Sequence, residues 1–114
     1  MTGLAIGVEP GEAATLVVLR GDLDLATAPE LRECLVKVID DGSRIVIDLE
    51  AVDFLDSAGL GILVGGLKRA RTRGGELELV CSSREVLKPL EITGLDRVFT
   101  IYDRREAALA AAGG

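Results

Sequence analysis

The chain reads as one small α/β domain, a mixed β-sheet that opens with a hairpin and is covered by α-helices. Two short apolar runs flank Pro10-Gly11-Glu12, and beyond them strand-like and helix-like periods alternate. The stretch Val52-Asp53-Phe54-Leu55-Asp56-Ser57-Ala58-Gly59-Leu60-Gly61 then changes from one period to the other through an Asp-Ser pair. The 114 residues suffice for one core and leave no room for a second, so residues 1–114 are expected to form a single domain.

Leu4 to Val8 is a weak first strand, Pro10-Gly11-Glu12 a turn, and Ala14 to Leu19 a strong second strand, together a hairpin. Thr27-Ala28-Pro29-Glu30 has the form of a capping box with Pro in the first turn. Leu31, Cys34, Leu35, Val38 and Ile39 continue an apolar helical face as far as Gly42. The β-branched run Arg44 to Leu49 is a buried strand. From Leu60 the apolar residues fall at Leu63, Val64, Leu67 and Ala70, one face of a helix that runs to about Arg73 and stops at Gly74-Gly75.

Glu76 to Cys81 is a further strand, and Ser82-Ser83-Arg84-Glu85 a second capping box before Val86, Leu87, Leu90 and Ile92. Pro89 lacks an N–H and clashes with the preceding turn, so a kink or a short helix is expected there. Val98 to Tyr102 is the last strand, and Asp103-Arg104-Arg105-Glu106 starts an Ala-rich terminal helix. An opening hairpin followed by alternating helices and strands implies parallel neighbours among the later strands.

Composition narrows the chemistry. Hydrophobic residues make up 48% of the chain, yet no apolar run approaches the roughly 20 residues that span a bilayer. Met1-Thr2-Gly3-Leu4 has no basic region leading into an apolar core, so no secretory signal is expected and the cytoplasm is the expected compartment. Thirteen Lys and Arg against 19 Asp and Glu give a net charge of -6, which argues against nucleic-acid binding by phosphate neutralisation and suits a basic protein partner. Cys34 and Cys81 lie in apolar stripes without metal-type spacing, and a disulfide is not expected. The chain has no histidine. That removes a Ser-His-acid triad and the usual imidazole zinc site. Leu55 stands where a G-x-S-x-G elbow needs glycine, and no phosphate loop occurs.

Ser57 is therefore a serine to be acted upon. It falls at or beside a helix N-cap, where most serines only cap and where free amides favour an anion. Gly59, Gly61, Gly65 and Gly66 all lie in the helical pattern, each costing about 1 kcal/mol relative to Ala in a helix interior. Repeated violation of propensity is common at working surfaces. Close helix-on-sheet packing through Gly61 and Gly65, which share a face, is the other explanation. Lys68, Arg69, Arg71 and Arg73 crowd the end of the same helix, where cations suit the dipole and a solvated face. In open α/β sheets function gathers beyond the carboxyl ends of strands. The loaded segments there are Gly21-Asp22-Leu23-Asp24-Leu25-Ala26-Thr27 and Asp53 to Ser57.

Gly21-Asp22-Leu23-Asp24, Thr27 at a helix start, Val46-Ile47-Asp48-Leu49 and Phe54-Leu55-Asp56-Ser57-Ala58-Gly59-Leu60-Gly61 together resemble the STAS domain family, specifically its stand-alone anti-sigma factor antagonists. Leu90-Glu91-Ile92-Thr93-Gly94-Leu95-Asp96-Arg97-Val98-Phe99 is similar to that family's last helix-to-strand turn. The resemblance implies a switch protein with no catalysis and no cofactor of its own. Its unphosphorylated form would bind an anti-sigma factor with serine kinase activity and free a sigma factor. Phosphorylation of Ser57 would switch binding off, and a metal-dependent serine phosphatase would restore it. Asp22, Asp24, Leu25, Thr27, Asp56, Ala58, Gly59, Leu60 and Gly61 would form the partner-binding surface, with Asp24 flanking the serine. No nucleic-acid or membrane partner is implied. Pro89 and the apolar Leu25-Ala26 pair depart from the pattern. A STAS subunit of a lipid-transport or stress-signalling complex is the alternative within the fold. Asp22-Leu23-Asp24 is also similar to the D-x-D of haloacid dehalogenase-like phosphatases, a magnesium-dependent aspartyl phosphatase reading that ranks lower.

Overall fold

The computed structural model describes residues 3–111. Five strands, β1 (Leu4–Glu9), β2 (Thr15–Leu23), β3 (Arg44–Leu55), β4 (Glu76–Val80) and β5 (Ile101–Tyr102), form one sheet in the order β1-β2-β3-β4-β5. β1 and β2 pair antiparallel as the expected hairpin, and every later pair is parallel. The connections carry α1 (Ala28–Val38), α2 (Ser57–Thr72) and α3 (Arg84–Ile92), and α4 (Arg105–Ala110) follows β5.

Alternation along the strands divides the sheet into two unequal faces. Val17, Leu19, Ile45, Ile47, Leu49, Leu77, Leu79 and Cys81 meet the apolar faces of α1, α2 and α3 in one large core. The opposite face is small: Ala14, Leu16, Val46 and Val80 pack against Ala108 of α4. Two arginines fix that six-residue helix. Arg105 donates to Asp48 Oδ2 from Nε at 2.9 Å and from Nη2 at 2.8 Å, while Arg44 donates to the Ala108 carbonyl at 2.8 Å and pairs with Glu78. Buried ion pairs contribute little net stability once desolvation is counted. Their effect here is to set where α4 lies. Cys34 and Cys81 are free thiols, and burial pushes the Cys81 thiol up to about 11.

Several elements differ from the sequence expectation. β2 continues past Leu19 to Leu23, and β3 past Leu49 to Leu55, so Gly21, Asp22, Asp53 and Phe54 are strand residues. The two strands stay paired through two register shifts. Between Val18↔Asp48 and Leu23↔Leu55, β3 uses two more residues than β2. Such bulges break the period of two that a sequence reading follows. Gly21 sits at φ 110°, and a Cβ there would stand 2.1 Å from the Gly3 carbonyl oxygen. The last strand shrinks to Ile101–Tyr102 because the Val98 and Phe99 amides both bond back to the Leu95 carbonyl at 3.0 Å, which keeps them in the turn that follows the 3₁₀ helix Leu95–Arg97. Pro89 lies inside α3, which is short as expected at nine residues.

Neither capping box forms as read. Thr27 precedes α1 but its hydroxyl makes no cap bond, and α3 starts one residue later than expected, after Ser83. The glycines of α2 also exchange roles. A Cβ on Gly61 or Gly65 would meet nothing within 4 Å, so neither is required by packing. Gly59 and Gly66 are the tight positions. A Cβ on Gly66 would approach the side-chain tips of Leu35 and Leu77, and one on Gly59 would stand 2.6 Å from the Leu23 carbonyl oxygen.

A backbone oxygen held in the sheet cannot retreat as a side-chain tip can. Gly59→Ala should therefore lower stability by about 1–3 kcal/mol, the usual cost of overpacking, despite the better helix propensity of Ala. Urea denaturation of the two proteins measures it, and a variant as stable as wild type would contradict the contact.

Candidate functional site

At the carboxyl ends of β2 and β3 two backbone segments are tied together. The Asp56 amide donates to the Leu23 carbonyl at 3.3 Å, closing the last rung between the strands. The Asp56 carboxylate then serves both sides. Its Oδ1 accepts the Gly59 amide at 3.0 Å, capping α2, and its Oδ2 accepts the Leu25 amide at 3.1 Å. The cap of α2 is thus Asp56, and Ser57 is the first helical residue.

The facing loop is built on Thr27 and Asp24. Thr27 is buried, and its hydroxyl donates to the Asp22 carbonyl at 2.8 Å while accepting the Asp24 amide at 2.9 Å. Asp24 Oδ1 accepts the Ala26 amide at 3.0 Å and the Thr27 amide at 3.1 Å. This is an Asx turn, in which a short carboxylate replaces the strand ladder that ends at Leu23. With its bonds turned inward, Asp24 holds the loop in shape.

Side chains that face solvent on this rim are few. Ser57 and Gly61 are exposed, Ala58, Asp22, Asp24 and Asp56 are half-buried, and Leu25 is 77% exposed. Phe54, which lies in the segment Asp53 to Ser57 but not among the residues expected to bind a partner, is 51% exposed beside them. It lines a shallow depression of about 390 Å³ with Asp24, Leu25, Ala26 and Asp56. Thr27, Gly59 and Leu60 are buried, so these three, expected to face a partner, do not reach the surface. Phe54 was hidden by the second register shift, after which Asp53 and Phe54 both point outward and Val52 and Leu55 inward. Its one sequence signal is rarity, the chain having two phenylalanines, of which Phe99 is in the core.

Three unsatisfied features coincide at this rim: an apolar pair that is exposed, a hydroxyl at a helix start, and open amides. Asp56 uses the Gly59 amide through its carboxylate and the Leu60 amide through its carbonyl, which leaves Ser57 and Ala58 as the free donors of the first turn. Among the described residues no group of three or more His, Cys, Asp and Glu is close enough to hold a metal ion. Asp22 and Asp24 do not converge on a common point with other carboxylates.

The STAS domain family model matches residues 7–108. The chain belongs to the STAS domain family. An anti-sigma-B factor antagonist of Bacillus subtilis is 34% identical over 104 residues, which is 91% of this chain and 95% of that protein. One from Staphylococcus aureus is 38% identical over 91 residues, 79% of this chain and 84% of that one. The crystal structure of an anti-sigma factor antagonist from Mycobacterium paratuberculosis superposes with a TM-score of 0.88 at 32% identity, covering 97% of this chain and 95% of that one.

In this STAS domain the Asp56 bridge should be measurable. Asp56→Ala removes the acceptor of two amides and should cost about 1–2 kcal/mol, the upper range for losing a helix cap. Asp56→Asn keeps one carbonyl oxygen for one of them and should cost less. Denaturant midpoints for both variants test this order, and equal stability of all three proteins would remove the bridge from the account.

Proposed function

We propose that this protein is an anti-sigma factor antagonist whose Ser57 rim binds an anti-sigma factor and is switched off when Ser57 is phosphorylated. The single observation that carries the reading is Ser57 itself: an exposed hydroxyl at the first position of a helix that Asp56, not Ser57, caps. Modification can therefore change the surface without uncapping α2. The names carried by the three relatives described above, each an anti-sigma factor antagonist, support the partner class.

The surface fits such a partner. Leu25 and Phe54 offer apolar area at the rim, and Ala58 and Gly61 leave room for close approach along the first turns of α2. The anti-sigma factor is also the proposed serine kinase, and a metal-dependent phosphatase the proposed reversing enzyme. The protein itself is proposed to be non-catalytic and cytoplasmic. Among the described residues no helix is long and apolar enough to cross a membrane.

Phosphate at Ser57 adds about -1.5 to -2 charges and three strong acceptors. The Ser57 and Ala58 amides can donate to it and the helix dipole stabilises it by about 0.3–1 kcal/mol, while Asp56 and Asp24 repel it. Neither effect is large against the stability of a domain. Desolvating the same charge against a partner costs several kcal/mol, enough to change affinity by orders of magnitude.

Incubation with the anti-sigma kinase and ATP should place one phosphate, on Ser57, by mass spectrometry. Phosphate on Ser43, Ser82 or Ser83 of a protein with Ser57 intact would overturn the site. Separately, Ser57→Asp should unfold within about 0.5 kcal/mol of wild type, as surface changes usually do. It should nevertheless lose at least about tenfold in affinity for the anti-sigma factor, equivalent to about 1.4 kcal/mol. Titration calorimetry and thermal unfolding read the two effects independently. Unchanged affinity would place Ser57 outside the interface.

A further inference from the structure

Beside the Ser57 rim the surface continues into a groove between α1 and α2. Two contiguous pockets of about 290 and 800 Å³ share Arg32, Val36, Ile62 and Arg69. The larger reaches Leu25 and Ala58 at the rim, and the smaller is floored by Gly61, Gly65 and Gly66. From Ala58 to Arg69 the groove follows α2 for about 16 Å at about 1.5 Å per residue, room for about three turns of a docked helix.

Two independent features of this groove lack a cause within the fold. Gly65 and Gly61 are exposed, and a Cβ on either would meet nothing within 4 Å, yet each costs about 1 kcal/mol of helix propensity. Packing does not require them, and a surface that must be approached closely does. The second feature is charge. Arg71 and Arg73 at the end of α2 pair with Glu76 and Asp41, whereas Arg32 and Arg69 make no ion pair among the described residues. Arg69 Nε is buried without a hydrogen-bond partner there. A buried donor of that kind asks for an acceptor.

We infer that the groove between α1 and α2 is a second docking site, which takes an amphipathic helix of the anti-sigma factor presenting a carboxylate to Arg32 and Arg69. This rests on the proposed anti-sigma partner and extends its footprint from the rim down α2. Charge complementarity selects the occupant. The chain carries a net charge of -6, but the groove is lined by Arg32, Lys37 and Arg69 against Glu33. The apolar floor of Leu35, Val36 and Ile62 would receive the other face of the helix, in the manner of helix-in-groove recognition.

The test uses the full chain and its purified anti-sigma factor in calorimetric titrations at low and high salt. Gly65→Leu fills the groove and improves helix propensity, so its melting temperature should stay or rise while affinity falls at least about tenfold. Arg69→Gln and Arg32→Gln should each weaken binding and flatten its salt dependence, while Lys68→Gln, the same charge change outside the groove, should do neither. Wild-type affinity for Gly65→Leu and both arginine variants, with Ser57→Asp still impaired, would overturn the groove and leave the rim reading standing. If Gly65→Leu melts early, the arginine pair decides alone: wild-type affinity and salt dependence overturn the inference. No binding by wild type would overturn the groove together with the partner on which it rests.

Discussion

The carboxylate of Asp56 is the interaction on which the rest of the site depends. With one oxygen it caps the helix that carries Ser57, and with the other it holds the Leu25 loop that faces it. Two segments separated by 31 positions in sequence thereby share one rigid rim. Because the cap belongs to Asp56, the neighbouring Ser57 hydroxyl has no structural duty and remains free for chemistry. Gly59 completes the arrangement, since its missing side chain lets the capped turn press against the Leu23 carbonyl. Stability and the proposed modification thus fall on adjacent residues that do not compete.

What the sequence made legible follows from how local each signal is. The antiparallel pairing of the hairpin, the α2 helix and its Gly74-Gly75 stop rest on periods and breakers that tertiary context has little occasion to override, and they form as expected, although β2 runs on to Leu23. The Asp-Ser pair was legible for the same reason. The carboxyl ends of β2 and β3 were not, because the two extra residues of β3 exist only relative to β2, and no single-strand pattern contains that information. Phe54 was missed through this cause. The capping motif at Thr27 misled differently: its hydroxyl found partners in Asp22 and Asp24, which a reading confined to the helix start does not consider.

The same locality explains the glycines of α2. A sequence pattern pairs Gly61 with Gly65 on one face but does not say whether that face meets the sheet or solvent. The buried side belongs to Leu60, Leu63 and Leu67, with Gly59 admitting Leu23 of β2 and Gly66 admitting Leu77 of β4 and Leu35 of α1. Gly61 and Gly65 therefore fall toward α1, where their cost in helix propensity has no return inside the fold.

A charge switch on such a scaffold works through the contrast between solvated and desolvated surroundings. In the free protein the proposed phosphate at Ser57 would stand in water beside two open amides and half-buried carboxylates, and solvent screening keeps the opposing effects on it to about 1 kcal/mol or less. Against a partner the water is gone and the same charge must be matched or expelled. The large core lies beneath α1, α2 and α3, and the arginine-pinned α4 lies on the other side of the sheet, so neither has to move for this to happen. Switching by surface chemistry alone then requires a rim stiff enough not to yield around the new charge. The bonds from Asp56, Thr27 and Asp24 supply that stiffness from within the two loops themselves.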